Sequence, residues 1–325
     1  MDGKMMICLP NWLGDMVMAT PFLLSLRSLP CTLWGLGGRT PPHLYEGLDI
    51  FDGFLTFEGR RFFDLVFLLR RQGFERGIIL SHSLRPALLF FLAGVRERIG
   101  YDVGGMGPLL TYREKRRQES TVDHYLRLLK PLGVEVKIRA PLLRVTGEEV
   151  GRFQAKHPDV PPRFSAFIVG ARFGPSKMWP EEHFSRLAEG IARDLHIPVF
   201  ILPGPGEKEI AYRIRDLCRE KDRVFIKVLD VAELKVMLSR AVFVVTNDTG
   251  PRHIAAALSV PTFVLLGPMD ESYTSYPSPT TYLLKADVAC RPCNRKTCNR
   301  DHACMRAIRP AQVLERIEEV MRATL

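Results

Sequence analysis

The chain has 325 residues, 46% hydrophobic and 25% charged, a composition that excludes a disordered or fibrous protein and is long enough for two domains. Lys and Arg exceed Asp and Glu by 46 to 36, giving a formal net charge of +10. That excess fits an acidic partner (nucleic acid, anionic lipid or a phosphorylated substrate), with plain solubility charge as the competing explanation.

In chain order, Met5–Leu9 reads as a short apolar strand. Lys4 precedes it, but Pro10, Asn11, Gly14 and Asp15 interrupt any apolar core, so no export signal is expected. Gly14 and Asp15 open a helix, which Pro21 either kinks or restarts. Asp15 then stands at the C-terminal edge of a parallel sheet, where ligands bind in open α/β folds. It is either a helix cap or a general base.

Cys31–Leu36, Gly53–Phe57 and Gly77–Leu80 read as further strands, and Phe62–Gln72 lies between them as helix or loop. After Leu80 come Ser81, His82, Ser83 and Arg85, again on the ligand edge. Arg85 suits a carboxylate or phosphate, or is a solvated arginine at a helix start. The apolar run Pro86–Val95 is too short to span a bilayer. Glu97–Tyr101 is a strand, Tyr112–Arg117 a basic run suited to acidic lipid headgroups, and Val122–Leu132 an amphipathic helix. Residues 137–156 are of mixed character. The stiff spacer Pro158–Pro162 marks the expected domain boundary, giving a first domain of residues 1–157.

The second domain, residues 163–309, repeats the strand–loop–helix unit. Ser165–Val169 leads into a loop with Gly170, Gly174 and Lys177, and Pro180 starts a helix with Glu181 and Glu182 in its first turn. Val199–Leu202 leads into Pro203–Glu207, and Val224–Val228 into a helix ending at Arg240. Val244–Gly267 is strand, polar loop, helix and strand, with Asn247, Asp248, Thr249, Gly250 and Pro251 at the turn. A helix start there offers free N–H groups and a positive dipole to an anion. Asp248 suits sugar hydroxyls or the loop's own amides, and Asp248 or Thr249 as a simple cap is the plainer alternative. His253 is either a phosphate donor or a core histidine.

Cys290, Cys293, Cys298 and Cys304 fall as C-x2-C-x4-C-x5-C with His302 between the last two. In a reducing cytoplasm this spacing favours zinc or an iron–sulfur cluster over disulfides, against the alternative of a packed loop with free thiols. An ion held by four thiolates has no open position and is structural.

LGDMVMATPFLLSLR near the start resembles the amino-terminal motif of bacterial lipopolysaccharide heptosyltransferases, glycosyltransferase family 9. GARFGPSKMWP resembles the family's lysine-containing loop, and NDTGPRHIAAALSVPTFVLLGP its nucleotide-sugar signature, in matching order. The Cys-rich tail resembles the heptosyltransferase II branch. The resemblance implies a GT-B fold, an α/β architecture of two Rossmann-like domains with parallel sheets facing across a cleft. It also implies a closing helix over residues 310–325 that packs back toward the first domain.

By the same resemblance, Asp15 is the general base, and Lys177, Asp248, Thr249, Gly250 and His253 hold the donor diphosphate and sugar. Glu207 matches an acidic position near the ribose, although Pro203 stands where the family usually has Gly. Ser83 and Arg85 are expected on the acceptor. The implied reaction moves heptose from ADP-heptose to the inner core of nascent lipopolysaccharide, inverting and metal-independent. The enzyme would be cytoplasmic and peripheral to an anionic inner-membrane surface. A different donor, or an epimerase activity, is the enzymatic alternative. A nucleic-acid-binding module with a zinc tail is disfavoured, because the basic residues lack interleaved aromatic platforms and no standard finger spacing occurs.

Overall fold

The alternation of short β-branched and apolar runs with amphipathic segments builds two parallel sheets of six strands. The computed structural model describes residues 3–324. In the first sheet the strands are β1 (Lys4–Cys8), β2 (Thr32–Gly37), β3 (Gly53–Thr56), β4 (Arg76–Ile79), β5 (Glu97–Tyr101) and β6 (Tyr112–Glu114). In the second they are β7 (Ser165–Ile168), β8 (Val199–Ile201), β9 (Val224–Ile226), β10 (Val244–Asn247), β11 (Thr262–Leu265) and β12 (Thr281–Leu284).

The spatial orders are β3-β2-β1-β4-β5-β6 and β12-β11-β10-β7-β8-β9. Counted from its own first strand, each sheet therefore has the doubly wound order 3-2-1-4-5-6. The order reverses between β1 and β4 in one sheet and between β7 and β10 in the other. Met6 sits between Trp34 and Gly77, and Thr246 between Ile168 and Val264. Ligands of such sheets gather beyond the strand ends at these reversals.

The eight strands expected before Val244 and the two around the 247–253 loop are present within a residue or two. Two edge strands were not anticipated. β6 lies inside the basic run, and β12 is short, isolated and half-buried, so neither carries a strong apolar pattern. Pro21 begins a separate helix, Thr20–Leu26, rather than kinking one. The segment expected as one helix to Leu132 is α-helical only over Thr121–Leu126 and continues as a 3-10 helix, since Pro131 lacks the N–H an α-helix would use.

The chain divides into units Met1–Arg144 with Ser272–Pro277, and Val145–Glu271 with Ser278–Leu325. The boundary therefore precedes the Pro158–Pro162 spacer by more than a dozen residues. The reason is the helix Gly147–Lys156, which carries a capping box from Thr146 to Glu149 and belongs to the second unit. Glu149 there meets Lys235 at 2.6 Å, both buried. The segment Ser272–Pro277 joins the first unit, where Thr121 Oγ1 donates to Tyr273 O at 2.9 Å.

The closing helix Pro310–Thr324 belongs to the second unit. It packs within the second unit, with Val313, Ile317 and Val320 in the core alongside Phe184, Leu187 and Ile191. Gly190 allows the close approach, since a Cβ would stand 2.8 Å from Leu314 Cδ2.

Replacing Lys235 by Met is expected to destabilise the second unit by about 3–5 kcal/mol, because the Glu149 carboxylate stays buried without its counter-charge. The urea midpoint measures this, and adding Glu149→Gln is expected to recover most of the loss.

Candidate active site

In the second unit the loops after β7 and β10 are tied by Asn247, which is fully buried. Its Nδ2 donates to Val169 O at 2.7 Å and its Oδ1 accepts from Trp179 N at 3.1 Å. Trp179 is itself held by donation from Nε1 to Ile308 O at 2.9 Å. The next residue, Asp248, is 4% exposed and carries the electrostatics. Lys177 Nζ donates to its Oδ2 at 2.8 Å and to its carbonyl at 3.0 Å, and Arg252 Nε meets its Oδ1 at 3.0 Å. Burial pushes the carboxyl up, but Arg252 and Lys177 together overcome it and hold the pKa at about 2.

Neither capping explanation for this loop survives. The Asp248 carboxylate is committed to Lys177 and Arg252, and Thr249 is the N-cap of the helix Gly250–Ala257 without a side-chain cap bond. The first turn of that helix is therefore not closed by its own cap. Lys177 is buried, not a surface lysine, with Phe173 beneath its ammonium at 4.8 Å. An ammonium has three N–H groups, and Asp248 takes two. Lys177 and Arg252 thus both meet one carboxylate beside a helix start.

His253 is brought to the same cluster but buried at 3% exposure. Burial, with Arg252 beside it, lowers its pKa well below the usual range, so it is a neutral imidazole. Arg252 Nε lies 3.3 Å from its Nε2. The neutral ring therefore accepts from Arg252. Arg252 was not singled out from sequence, although its spacing of four residues from Asp248 on a helix start was the available signal.

Glu207 joins this edge from the loop after β8. Its Oε2 accepts from Gly204 N at 2.8 Å, and a Cβ on Gly170 would fall inside its carboxylate. Gly170 is thus the one residue type that lets the two loops meet. One carboxylate oxygen of Glu207 remains for a hydroxyl.

In the first unit Asp15 stands in the first turn of the helix Leu13–Met18, whose N-cap is Trp12, so the carboxylate is not a cap. Among the described residues it has no ion pair, and burial alone raises its pKa to about 6. That is a carboxylate poised to take a proton near neutrality.

Ser83 and Arg85 line one cavity of the first unit. 

This cavity is about 230 Å³, and Asn11, Ser81 and Leu89 also line it. It opens beyond the ends of β1 and β4, at the reversal of strand order. Asp15 is not part of its lining. Ser81 Oγ is buried there with no hydrogen-bond partner. Sequence reasoning missed a neighbouring pair: His82 Nε2 lies 3.1 Å from His124 Nε2, and His124 stacks on Tyr101 at 3.6 Å. Burial, then His82 and Arg116, lower His124 to about 3, so it stays neutral. Forty-two residues separate the two histidines, and no local spacing announces them.

Cys290, Cys293, Cys298 and Cys304 share a cavity of about 260 Å³ with Ser176, Arg295 and Arg300. Among the described residues no group of three or more His, Cys, Asp and Glu side chains is arranged to hold an ion. The donor set still fits a thiophilic metal chemically, because four thiols face one space. The segment leans on the lysine loop: Ser176 Oγ donates to Arg295 O at 2.5 Å, and Ser176 N to Lys296 O at 3.2 Å.

Glycosyltransferase family 9 (heptosyltransferase) matches residues 63–304. The chain is 24% identical to lipooligosaccharide heptosyltransferase 2 of Campylobacter jejuni (strain 81116) over 340 residues, covering 98% of this chain and 99% of the relative. It is 25% identical to lipopolysaccharide heptosyltransferase 2 of Escherichia coli K12, over 83% of this chain and 84% of that protein. Among solved structures, E. coli ADP-heptose lps heptosyltransferase II shares the fold with a TM-score of 0.85, 21% identity and 99% coverage of both chains.

Gly170→Ala is expected to displace the Glu207 carboxylate and open the β7 and β8 loops. Isothermal titration should then show weaker nucleotide binding, while Gly206→Ala, in open space one residue from Glu207, acts only through its own backbone strain.

Proposed function

The chain belongs to glycosyltransferase family 9, the heptosyltransferases, and on that premise we propose that it transfers heptose from ADP-heptose to the inner core of nascent lipopolysaccharide. The observation that carries this reading is the Lys177–Asp248–Arg252 cluster beside the start of the helix Gly250–Ala257. It presents the Lys177 ammonium and backbone N–H groups to an anion, which suits a diphosphate. Glu207 offers its free oxygen to a ribose hydroxyl. Ser83, Arg85 and Asn11 offer polar groups to an acidic acceptor from the first-unit cavity.

In the proposed reaction an acceptor hydroxyl oxygen attacks the anomeric carbon as the bond to the β-phosphate oxygen breaks. The hydroxyl proton passes to the Asp15 carboxylate, and ADP leaves with the electron pair of the broken bond. A single displacement inverts the anomeric centre. Lys177 and the helix start stabilise the charge on the leaving diphosphate, the task a divalent ion performs elsewhere. The supporting contrast is electrostatic: the carboxylate assigned to proton transfer is raised to about 6, and the one assigned to structure is held at about 2.

Asp15→Asn is expected to lower turnover at least about 100-fold, the scale of general-base catalysis, while ADP-heptose affinity stays unchanged. Since only the deprotonated carboxylate accepts a proton, wild-type kcat/KM should fall as pH drops below about 6, and the residual rate of the variant should lack that limb. A variant with near wild-type turnover removes Asp15 from the chemistry.

The four tail thiols would hold a zinc or iron ion as a structural group, bracing the segment against Ser176. When bound, such an ion supplies cross-linking and no open coordination position. Anaerobically purified protein is expected to carry about one equivalent of metal, and chelation to lower Tm more than turnover. Metal below about a tenth of an equivalent, far from one-site stoichiometry, leaves four free thiols.

A further inference from the structure

Two neighbouring helices of the first unit, Phe62–Gln72 and Leu84–Leu92, carry apolar residues on both faces. Leu65, Val66 and Leu69, with Ala87, Leu89 and Phe90, fill the core as amphipathic helices require. The outward faces should then be polar, yet Phe63 is 65% exposed, Phe67 62% and Phe91 48%, with Leu84 and Leu88 also exposed. Phe63 and Phe67 are one turn apart, and Leu84, Leu88 and Phe91 follow helical spacing, so each helix shows a stripe.

The stripes are linked. Phe63 meets Phe62 edge-on at 5.6 Å, and Arg85 from the second helix lies 5.9 Å over the Phe62 ring. An apolar surface of this kind marks an interaction site in a soluble chain.

Its surroundings say what it meets. Arg60, Arg61, Arg70, Arg71, Arg85 and Arg96 are all exposed around the two helices. Within the helices themselves Asp64 is the one acidic residue, and the nearby Glu97 is paired with Arg76. Aromatic and aliphatic side chains framed by arginines match the boundary between acyl chains and anionic headgroups. A second copy of this chain fits poorly, because a two-fold contact would set the same arginines against themselves. The surface also adjoins the cavity assigned to the acceptor, since the second helix begins at Ser83 and Arg85.

We propose that this surface seats the first unit on an anionic bilayer, with Phe63, Phe67 and Phe91 entering the headgroup boundary and the arginines binding lipid phosphates. The proposal deepens the reading of a lipid-linked acceptor and rests on it for its purpose. The test uses vesicles without acceptor, so the two can fail separately.

The full chain is floated with vesicles of phosphatidylglycerol and phosphatidylethanolamine, and with neutral phosphatidylcholine vesicles, across a salt series. Wild type is expected to bind the anionic vesicles and to release as salt rises. The triple variant Phe63→Ser, Phe67→Ser, Phe91→Ser should lose at least about tenfold in partitioning, because each ring withdraws apolar area from water. Arg60→Gln with Arg61→Gln, Arg70→Gln and Arg71→Gln should remove most of the salt dependence. Both variants change exposed side chains, and unchanged Tm and ADP-heptose thermal shift confirm folding. Wild-type partitioning by the triple variant overturns the proposal, as does equal binding to neutral vesicles. A wild-type dimer in sedimentation velocity that the triple variant abolishes also overturns it, by assigning the surface to a second copy. Flotation as expected without ADP-heptose binding upholds the surface and removes the proposed donor.

Discussion

A buried carboxylate at the end of β10 governs the second unit. Asp248 has too little contact with water to keep its charge unaided, so it needs cations brought to it. The helix it precedes supplies Arg252 one turn on, and the loop after β7 supplies Lys177. Because those cations come from different parts of the chain, satisfying one charge also fixes two loops. Asn247 repeats the tie with hydrogen bonds, and Gly170 lets the Glu207 loop close beside it. The cations gathered beside that helix start are the feature an anionic ligand would use.

The two units solve the same topological problem with opposite electrostatics. Each sheet has the same strand order, and each puts polar residues beyond the strand ends at its reversal. In the second unit cations surround the carboxylate and its pKa falls. In the first, Asp15 is partly buried without a cation and its pKa rises. Two residues of one type thus titrate in opposite directions, separated by surroundings alone.

Elements outside the sheets reinforce these sites. The Cys-rich segment contacts the lysine loop through Ser176, so its packing bears on where Lys177 stands. The closing helix spends its apolar face on the Glu181–Asp194 helix and completes the second core. By contrast, the helices Phe62–Gln72 and Leu84–Leu92 leave apolar faces uncovered. Among the described residues no helix is long and apolar enough to cross a membrane.

The sequence by itself determined the α/β class, nearly all the strands and the loops that matter. Those features are local: a buried parallel strand is a continuous apolar run, and Gly, Pro and Asp at a turn announce a helix start. It also put Lys177, Glu207 and Asp248 on the same kind of edge. It did not determine that Lys177 and Asp248 touch, that His253 is neutral beneath Arg252, or that His82 meets His124. It misplaced the domain boundary, because a proline-rich spacer is a local sign while the buried Glu149–Lys235 pair joins residues 86 positions apart. Edge strands β6 and β12 escaped for a related reason, having one neighbour and little apolar pattern. Tertiary structure decided these points because burial and charge pairing depend on which segments become neighbours, and that is a property of the packed sheet, not of any stretch of chain.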